Sequence, residues 1–308
     1  MGEIEYIRWL RRTERPAEGV VLGIGDDAAI LRSRGKYTLV STDMIVEGVD
    51  FDLAKASPYL VGRKALAINL SDIAAMGARP TYAVVAVAFR PGLPPGFGRE
   101  LHEGMSAVAS TFDVTVVGGD VGSTDGGLVV CATILGTDDG REPVRRSGAR
   151  PGDWVCATGE FGGSIHGHHL TFTPRVREGM RLASEYRPHA MIDVSDGLAA
   201  DLGHILEESH VGAVIDEGRI PIAEAAVEAA QRTNRTPLDH ALHDGEDFEL
   251  VFTLAPEDGE RLLAAKEFGA PVTRIGEIRS EPGLFLRRGG NVLVPLAPKG
   301  FEHPHVVI

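Results

Sequence analysis

Cysteine, aromatic residues and long apolar runs are all scarce in this chain of 308 residues. Its 2 cysteines, Cys131 and Cys156, stand singly in apolar, strand-like runs, which predicts two free thiols of a reducing compartment, with a bridge between them as the minor alternative. A disulfide-stapled mini-domain is excluded, because a chain of this length buries a core without staples. No apolar stretch reaches the roughly 18 residues of a membrane helix. The first residues lack the apolar core of a signal peptide, so we expect a cytoplasmic protein.

Positive charge is also in deficit, since 31 Lys and Arg stand against 44 Asp and Glu, for a formal net charge of −13. No run of basic residues interrupts this balance, so we expect no nucleic-acid and no membrane partner. The sequence also lacks a G-x-x-x-x-G-K-[ST] loop and a kinase-type H-R-D loop. Any phosphoryl transfer must therefore use a different apparatus from P-loop enzymes and protein kinases.

Strand-like and helix-like segments alternate along the whole chain, which predicts two α/β or α+β domains. The first half has the order β-β-α-β-α-β-β, including a helix over 58–76 and an apolar strand over 82–89. The polar stretch 137–153 contains Gly, Pro and charges without periodicity and marks a linker. We therefore expect an N-terminal domain over 1–139 and a C-terminal domain over 140–308.

Aspartates stand at Gly-flanked or strand-end positions in several separate segments of the sequence. Any one of them fits a helix cap or a turn equally well. Strand ends that converge on one sheet edge would bring many carboxylates together, and hard cations such as Mg²⁺ relieve their repulsion while leaving positions for water and phosphates. The pattern therefore predicts polyphosphate chemistry at a carboxylate and Mg²⁺ cluster. The acidic residues are Asp26, Asp27, Asp43, Asp72, Asp120, Asp193, Asp196, Glu246 and Asp247.

Two other motifs have a tempting but weaker functional interpretation. Residues 23–28 match a permissive G-x-G-x-x-A dinucleotide fingerprint, but two carboxylates would face the pyrophosphate, which argues against that site. The histidines His166, His168 and His169 favour a solvated or substrate-facing loop over a transition-metal site, because no Cys or further His stands nearby at ligand spacing.

Seven short segments of the sequence form a recognisable motif series. They are GIGDDAAIL (23–31), VSTDMIVEGVDF (40–51), KALAINLSDIAAMGARP (64–80), VVGGDVG (116–122), RSGARPGD (146–153), IDVSDGLAADLGHI (192–205) and GEDFEL (245–250). Together they resemble the motif series of the thiamine-monophosphate kinase family. Their order and spacing agree over essentially the whole chain. The resemblance implies the α/β (α+β) two-domain fold of the aminoimidazole ribonucleotide synthetase superfamily, with an N-terminal domain that pairs in a homodimer. It implies ATP and thiamine monophosphate as substrates, thiamine diphosphate as product, and several bound Mg²⁺ ions.

The same resemblance assigns roles to individual positions. In-line phosphoryl transfer requires alignment and charge neutralisation more than a protein nucleophile, so no general base is expected. Asp50, Glu246 and Phe301 are candidate substrate contacts, with simple packing as an equal alternative for Phe301. Along ATP the resemblance implies Gly119, Asp120, Arg146 and Ser195. As Mg²⁺ ligands it implies Asp27, Ser41, Thr42, Asp43, Asp72, Asp120, Asp193 and Asp196.

One departure from the family pattern leaves alternatives open. The family commonly has V-x-G-x-H-F where this chain has Val-Glu-Gly-Val-Asp50-Phe51, so a carboxylate replaces an imidazole at a position that touches substrate. A non-catalytic nucleotide- or metal-binding homologue is therefore one alternative. The other is an ATP-dependent ligase or dehydratase of the same superfamily, disfavoured because selenophosphate synthesis and hydrogenase maturation would need a Cys near one terminus.

Overall fold

The computed structural model describes residues 3–13, 18–33, 36–138, 140–265 and 267–301. The helices are α1 (Glu3–Thr13), α2 (Pro58–Ala75), α3 (Phe97–Thr111), α4 (His168–Thr171), α5 (Val176–Arg181), α6 (Leu198–Ser209), α7 (Glu224–Ala230), α8 (Pro237–His243) and α9 (Pro256–Leu263). The strands are β1 (Val20–Leu22), β2 (Ala29–Ser33), β3 (Lys36–Val46), β4 (Arg79–Phe89), β5 (Thr115–Ser123), β6 (Val129–Thr137), β7 (Trp154–Thr158), β8 (Ala190–Asp193), β9 (Gly212–Asp216), β10 (Leu250–Leu254), β11 (Val272–Arg279), β12 (Gly283–Arg288) and β13 (Val292–Pro295).

The strands form two separate mixed sheets. The first has the order β1-β2-β3-β6-β4-β5, and its only parallel pair among the described strands is β4 with β5. The second has the order β13-β12-β9-β11-β7-β10-β8, with β12 and β9 parallel. The predicted two-unit α/β and α+β architecture is therefore confirmed. The domain boundary at 139/140 stays a prediction, although β6 ends at Thr137 and β7 begins at Trp154.

Helix α2 lies between the two halves of the protein. Ser57 caps its first turn by accepting a hydrogen bond from the backbone N–H of Leu60, and Pro58 follows at the first helical position. On one side α2 packs against β3 and β6, and on the other against α4, α5 and β8. A Cβ at Gly179 of α5 would lie only 2.2 Å from the carbonyl oxygen of Ala74, so glycine permits this close contact. The helix is thus buried on nearly all sides, and polar residues on it are enclosed.

Several elements differ from their sequence-based expectations. The apolar pattern of the sequence predicts a strand over 37–41, but β3 continues to Val46, because β6 pairs with it from Thr38 to Val46. The sequence pattern predicts one helix over 175–185. The structure has α5 followed by a π-helical turn over Leu182–Tyr186, after which Arg187 adopts φ of +52°. Helix α8 and the β12–β13 hairpin have no counterpart in the sequence-based expectation. Both cysteines are free, as expected.

One face of the first sheet is covered and the other is open. In β4, Ala83, Val85 and Val87 are buried against the core, whereas Tyr82 and Val84 on the opposite face are 52% and 39% exposed. The neighbouring edge strand β5 is exposed along nearly its entire length. Among the described helices, none is both long and apolar enough to cross a membrane. The cytoplasmic location stays a prediction.

Candidate active site

The acidic cluster forms where β3 of the first sheet faces α2. Alternation along β3 directs Ser41 and Asp43 toward the helix, on the same face as the buried Leu39 and Ile45. The Asn69 side-chain carbonyl of α2 accepts the backbone N–H of Asp43 at 3.1 Å. These contacts fix the Ser-Thr-Asp motif against the helix that carries Asp72.

Three carboxylates from different segments meet in this cluster. Oxygens of Asp27, Asp72 and Asp193 all lie within 4.8 Å of one another. The hydroxyl of Ser41 donates to Asp72, and the hydroxyl of Ser71 donates to Asp193 Oδ2 at 2.5 Å. Within the described part of the chain, Asp27 Oδ2 is buried and accepts no hydrogen bond. The cluster therefore concentrates negative charge and leaves a buried oxygen without a proton donor.

Burial and mutual repulsion make these carboxyls difficult to ionise together. Burial, and then the charge of Asp43, raise the pKa of Asp72 well above its ordinary value. Burial likewise raises the pKa values of Asp43 and Asp193, and Asp27 adds to both effects. Burial and Asp27 raise the pKa of Asp26 to about 7, against the opposing effect of Arg146. A bound cation would allow all of them to be charged at neutral pH.

The donor set suits a hard divalent cation. All candidate ligands in the Asp27, Asp72 and Asp193 group are carboxylate oxygens, the atoms that Mg²⁺ prefers. A second group, Asp196 with Asp201 and His204, lies further along the same acidic wall. The buried Asp27 Oδ2 has no hydrogen-bond donor within the described residues, which supports a cation at the first group.

Two cavities meet at this cluster. The Phe301 cavity has a volume of about 580 Å³, and its walls include Asp50, Glu246 and the apolar residues Met44 and Ile68. The Arg146 cavity has a volume of about 370 Å³, and its walls include Ser41, Asp27 and Arg146. Both cavities share the same five wall residues, Asp43, Asp72, Asp193, Ser195 and Asp196.

Arg146 supplies positive charge on its side of the cluster. Its guanidinium donates to Asp27 Oδ1 at 2.8 Å, and its backbone N–H donates to Asp26 Oδ2 at 3.1 Å. Burial disfavours the charged guanidinium, but Asp27 holds the pKa of Arg146 above its ordinary value. Arg146 lies within the polar stretch 137–153, and its bonds to Asp26 and Asp27 join that stretch to the loop between β1 and β2.

The loop between β1 and β2 contains the G-x-G-x-x-A fingerprint at residues 23–28. It joins two antiparallel strands, whereas a dinucleotide fingerprint requires a strand followed by a helix. The structure therefore agrees with the sequence-based rejection of a nicotinamide or flavin site there.

Glu246 lies in a tight turn beside the cluster. Gly245 precedes it with φ of +74°, and a Cβ at Gly245 would lie 2.6 Å from the carbonyl oxygen of Ser195. The backbone N–H of Glu246 donates to that same carbonyl at 2.7 Å. Only glycine permits this approach, which places Glu246 in the wall of the Phe301 cavity.

The remaining predicted site residues lie in different places. Asp50 lines the Phe301 cavity, and its Oδ2 accepts the backbone N–H of Val46 at 2.7 Å. Phe301 lines the same cavity and donates its backbone N–H to the carbonyl of Asp196 at 3.0 Å. Thr42 lines the Arg146 cavity, but its hydroxyl bonds with the hydroxyl of Thr133 in the neighbouring strand β6.

Gly119 and Asp120 are not brought to the cluster within one chain. They lie on the edge strand β5, which two strands separate from β3, and Asp120 lines neither cavity among the residues that the structure describes. Packing explains why position 119 is a glycine, since a Cβ there would lie 1.8 Å from the carbonyl oxygen of Val85.

Lys64 escaped the sequence interpretation, and His169, which the sequence predicts in a solvated or substrate-facing loop, is buried. Lys64 of α2 is only 1% exposed and contacts Glu246, and His169 is buried beside both. His166 lines the Phe301 cavity and His168 is exposed. The signal available for Lys64 was a basic pair, Arg63 and Lys64, near the start of a largely apolar helical run. No candidate group of three metal ligands in the described ranges includes these histidines.

Comparison with known proteins places the chain in a family. Residues 25–137 match the model for the AIR synthase related protein, N-terminal domain, and residues 146–289 match the corresponding C-terminal domain. The chain is 40% identical to thiamine-monophosphate kinase of Rhodopirellula baltica over 98% of this chain and 97% of that protein.

Solved structures agree with this placement. The structure of AaThiL complexed with AMPPCP and TMP has a TM-score of 0.84 and 27% identity, covering 98% of this chain and 97% of that one. Thiamine-monophosphate kinase from Stenotrophomonas maltophilia has a TM-score of 0.75 and 34% identity, covering 92% of this chain and 95% of that one. The chain therefore belongs to the thiamine-monophosphate kinase family of AIR synthase related proteins.

Proposed function

We propose that this chain transfers the γ-phosphoryl group of ATP directly to the phosphate of thiamine monophosphate, giving thiamine diphosphate and ADP in a Mg²⁺-dependent reaction. The observation that carries the proposal is the shared wall of the two cavities. Two anionic substrates that enter from opposite sides would present their phosphates to the same carboxylates. In-line transfer needs this arrangement, with donor and acceptor held on one axis.

The chemistry of the walls supports an assignment of each substrate to one cavity. Arg146 borders only one of the two cavities and presents a guanidinium to it, which suits the triphosphate of ATP. The Phe301 cavity combines apolar side chains with the carboxylates of Asp50 and Glu246. These groups suit a cationic thiazolium and an aminopyrimidine. We therefore assign ATP to the Arg146 cavity and thiamine monophosphate to the Phe301 cavity.

The acidic wall would hold Mg²⁺ through Asp27, Asp43, Asp72 and Asp193, with Ser41 and Asp196 beside them. When bound, Mg²⁺ neutralises phosphate charge that builds up during transfer. The hydroxyls of Ser41 and Ser71 orient two of these carboxylates by donating to them. Ser195 lies between the cavities, where it can contact the transferred group.

A product assay tests this proposal. The protein is incubated with ATP, Mg²⁺ and thiamine monophosphate, and in parallel with thiamine or another phosphomonoester, and the products are separated by chromatography. We expect one ADP per thiamine diphosphate, and no diphosphate product from the other acceptors. A different preferred acceptor would contradict the assignment of the Phe301 cavity, and ATP binding without turnover would favour the non-catalytic alternative.

We also propose that the working form is a homodimer built through the first sheet. The open face of β3, β4 and β5 exposes Met44, Tyr82, Val84 and Val117, and β5 is an edge strand with one neighbour among the described strands. An apolar face next to a free edge normally receives a partner. Asp120 lies on this edge, so its expected role at the nucleotide requires the cluster of a second copy.

Mixing two inactive variants tests the role of Asp120 across the dimer. Asp120→Asn and Asp43→Asn are each purified, then denatured together and refolded so that mixed dimers form. If Asp120 serves the partner subunit, a mixed dimer contains one site with both aspartates intact and regains activity that neither parent has. If Asp120 acts within its own chain or not at all, mixing restores nothing. Light scattering that shows only a monomer of about 33 kDa at micromolar concentration would contradict the dimer itself.

A further inference from the structure

A buried lysine connects the two walls of the Phe301 cavity. Lys64 lies on α2 in the first half of the chain and is 1% exposed. Its ammonium donates to the backbone carbonyl of Asp50 at 2.7 Å, lies 2.9 Å from His169 Nδ1, and donates to Glu246 Oε1. An ammonium has three donors and no acceptor, so each of its N–H groups has one partner.

These three partners come from segments that are far apart in sequence. Asp50 belongs to the turn after β3, His169 to the short helix α4, and Glu246 to the Gly-Glu-Asp turn before β10. Asp50 and Glu246 line the Phe301 cavity from opposite halves of the chain. The position of each carboxylate therefore depends on the same cation.

The second oxygen of Glu246 is available for another interaction. Glu246 Oε2 is buried, accepts no hydrogen bond within the described residues, and lies 3.2 Å from His169 Nδ1. A buried acceptor without a donor is uncommon in native proteins and often indicates a ligand position. Lys64 holds Oε1 and thereby determines where Oε2 points.

We propose that Lys64 is a positioning residue that fixes the acceptor-binding wall, holding Glu246 and the Asp50 turn in the orientation that receives thiamine monophosphate. It contacts the substrate's partners and takes no part in phosphoryl transfer. His169 is the third partner of the Lys64 ammonium. Through this residue, the histidine-rich segment 166–169 takes part in acceptor binding. This inference rests on the proposed function, because it concerns the same acceptor site.

Steady-state kinetics of Lys64→Met test the proposal. We expect the KM for thiamine monophosphate to rise by roughly 10- to 100-fold, since a charge-assisted contact is lost from the acceptor wall. The KM for ATP and kcat should change by no more than about 3-fold, because a contact made equally in the ground and transition states acts on KM. Lys64→Gln, which removes the charge but keeps a shorter polar side chain, is measured in parallel and should also raise the acceptor KM, so that the test survives if Lys64→Met fails to fold.

The adjacent Arg63 offers a matched control. Its guanidinium also joins α2 to the second half of the chain, donating to the carbonyls of Leu170 and Phe172, but it lines neither of the two cavities at the cluster. Arg63→Met should lower thermal stability and leave the acceptor KM unchanged. An equal rise of acceptor KM in both variants would reduce Lys64 to a structural contact and overturn the proposal.

A double-mutant cycle separates the route through Glu246 from a general disturbance. If Lys64 acts by holding Glu246, Lys64→Met combined with Glu246→Gln should raise the acceptor KM no further than the worse single variant. Fully additive losses would overturn the proposal, as would an unchanged acceptor KM in Lys64→Met and Lys64→Gln. If the wild-type protein makes no thiamine diphosphate, the proposed function itself fails, and this outcome is distinguishable from a normal wild type with unaffected variants.

Discussion

Replacing Asp72 by Asn should stabilise the metal-free protein while abolishing most of its turnover. Asp72 lies among carboxylates whose oxygens are within 4.8 Å of its own, and burial together with Asp43 raises its pKa. An asparagine has almost the same shape, and its carbonyl oxygen can still accept the hydroxyl of Ser41. The substitution therefore removes charge and leaves the packing of α2 intact.

The magnitude follows from the spacing. Two unit charges 4.8 Å apart repel by about 3.5 kcal/mol at an effective dielectric constant of about 20. A proton shared within the cluster relieves part of this repulsion, so we expect a net gain of about 2 kcal/mol, or a Tm rise of roughly 4–8 °C. In Mg²⁺ we expect wild type to have the higher Tm, because the ion stabilises only a protein that binds it well.

Thermal melts in EDTA and in Mg²⁺, together with an ADP-release assay, check both halves of this prediction. Asp153→Asn is the matched control, since Asp153 is a buried carboxylate that accepts the backbone N–H of Arg150 and lies 2.8 Å from His189 Nδ1. That variant should melt lower in both buffers. An Asp72→Asn protein that melts below wild type in EDTA, or that keeps the Mg²⁺-dependent shift and near-normal turnover, would refute the metal-cluster assignment.

Three further predictions concern the same region. Asp43→Asn should lose most turnover at saturating Mg²⁺ with its fold retained, as judged by the same melts and assay. In EDTA, Asp26→Asn should gain stability relative to wild type as pH rises from about 4 to about 7, and the difference should level off above that. The folded pKa of Asp26 is raised to about 7, so wild type loses stability as pH rises from the unfolded pKa of about 4 through the folded pKa; a difference in Tm that stays constant from about pH 4 to about pH 7 would contradict it. Asp50→His should change the KM for thiamine monophosphate more than kcat, measured with ATP saturating, whereas a 100-fold loss of kcat at constant KM would make Asp50 a transition-state residue.

The acidic cluster was accessible from sequence because its members sit in short polar motifs within apolar segments. Asp43 and Asp193 each lie in or at the end of a strand, and Asp72 lies on the helix that crosses behind them. What sequence lacked was the strand order. Because β6 and β4 separate β3 from β5, Asp120 lies apart from Asp43 in one chain, although its motif is as distinctive as the others.

Lys64 shows why the acceptor wall was harder to predict. A lysine inside a helical pattern normally marks the solvent face. Helix α2 has no solvent face at Lys64, because the second half of the chain packs there with His169 and Glu246. Burial of this kind depends on how two sheets and their helices pack together, which the local hydrophobic pattern of either half does not contain.

Helix α2 also sets the distance between recognition and chemistry. Lys64 and Ile68 line the Phe301 cavity, and Asp72 lies where that cavity meets the Arg146 cavity. Positions four and eight residues apart lie on one helical face, and eight residues span about 12 Å. Because the helix is enclosed by both halves of the protein, this spacing is rigid. If thiamine monophosphate binds as proposed, the Glu246 carboxylate at one end and the carboxylate cluster at the other would select the acceptor by the distance between its cationic end and its phosphate.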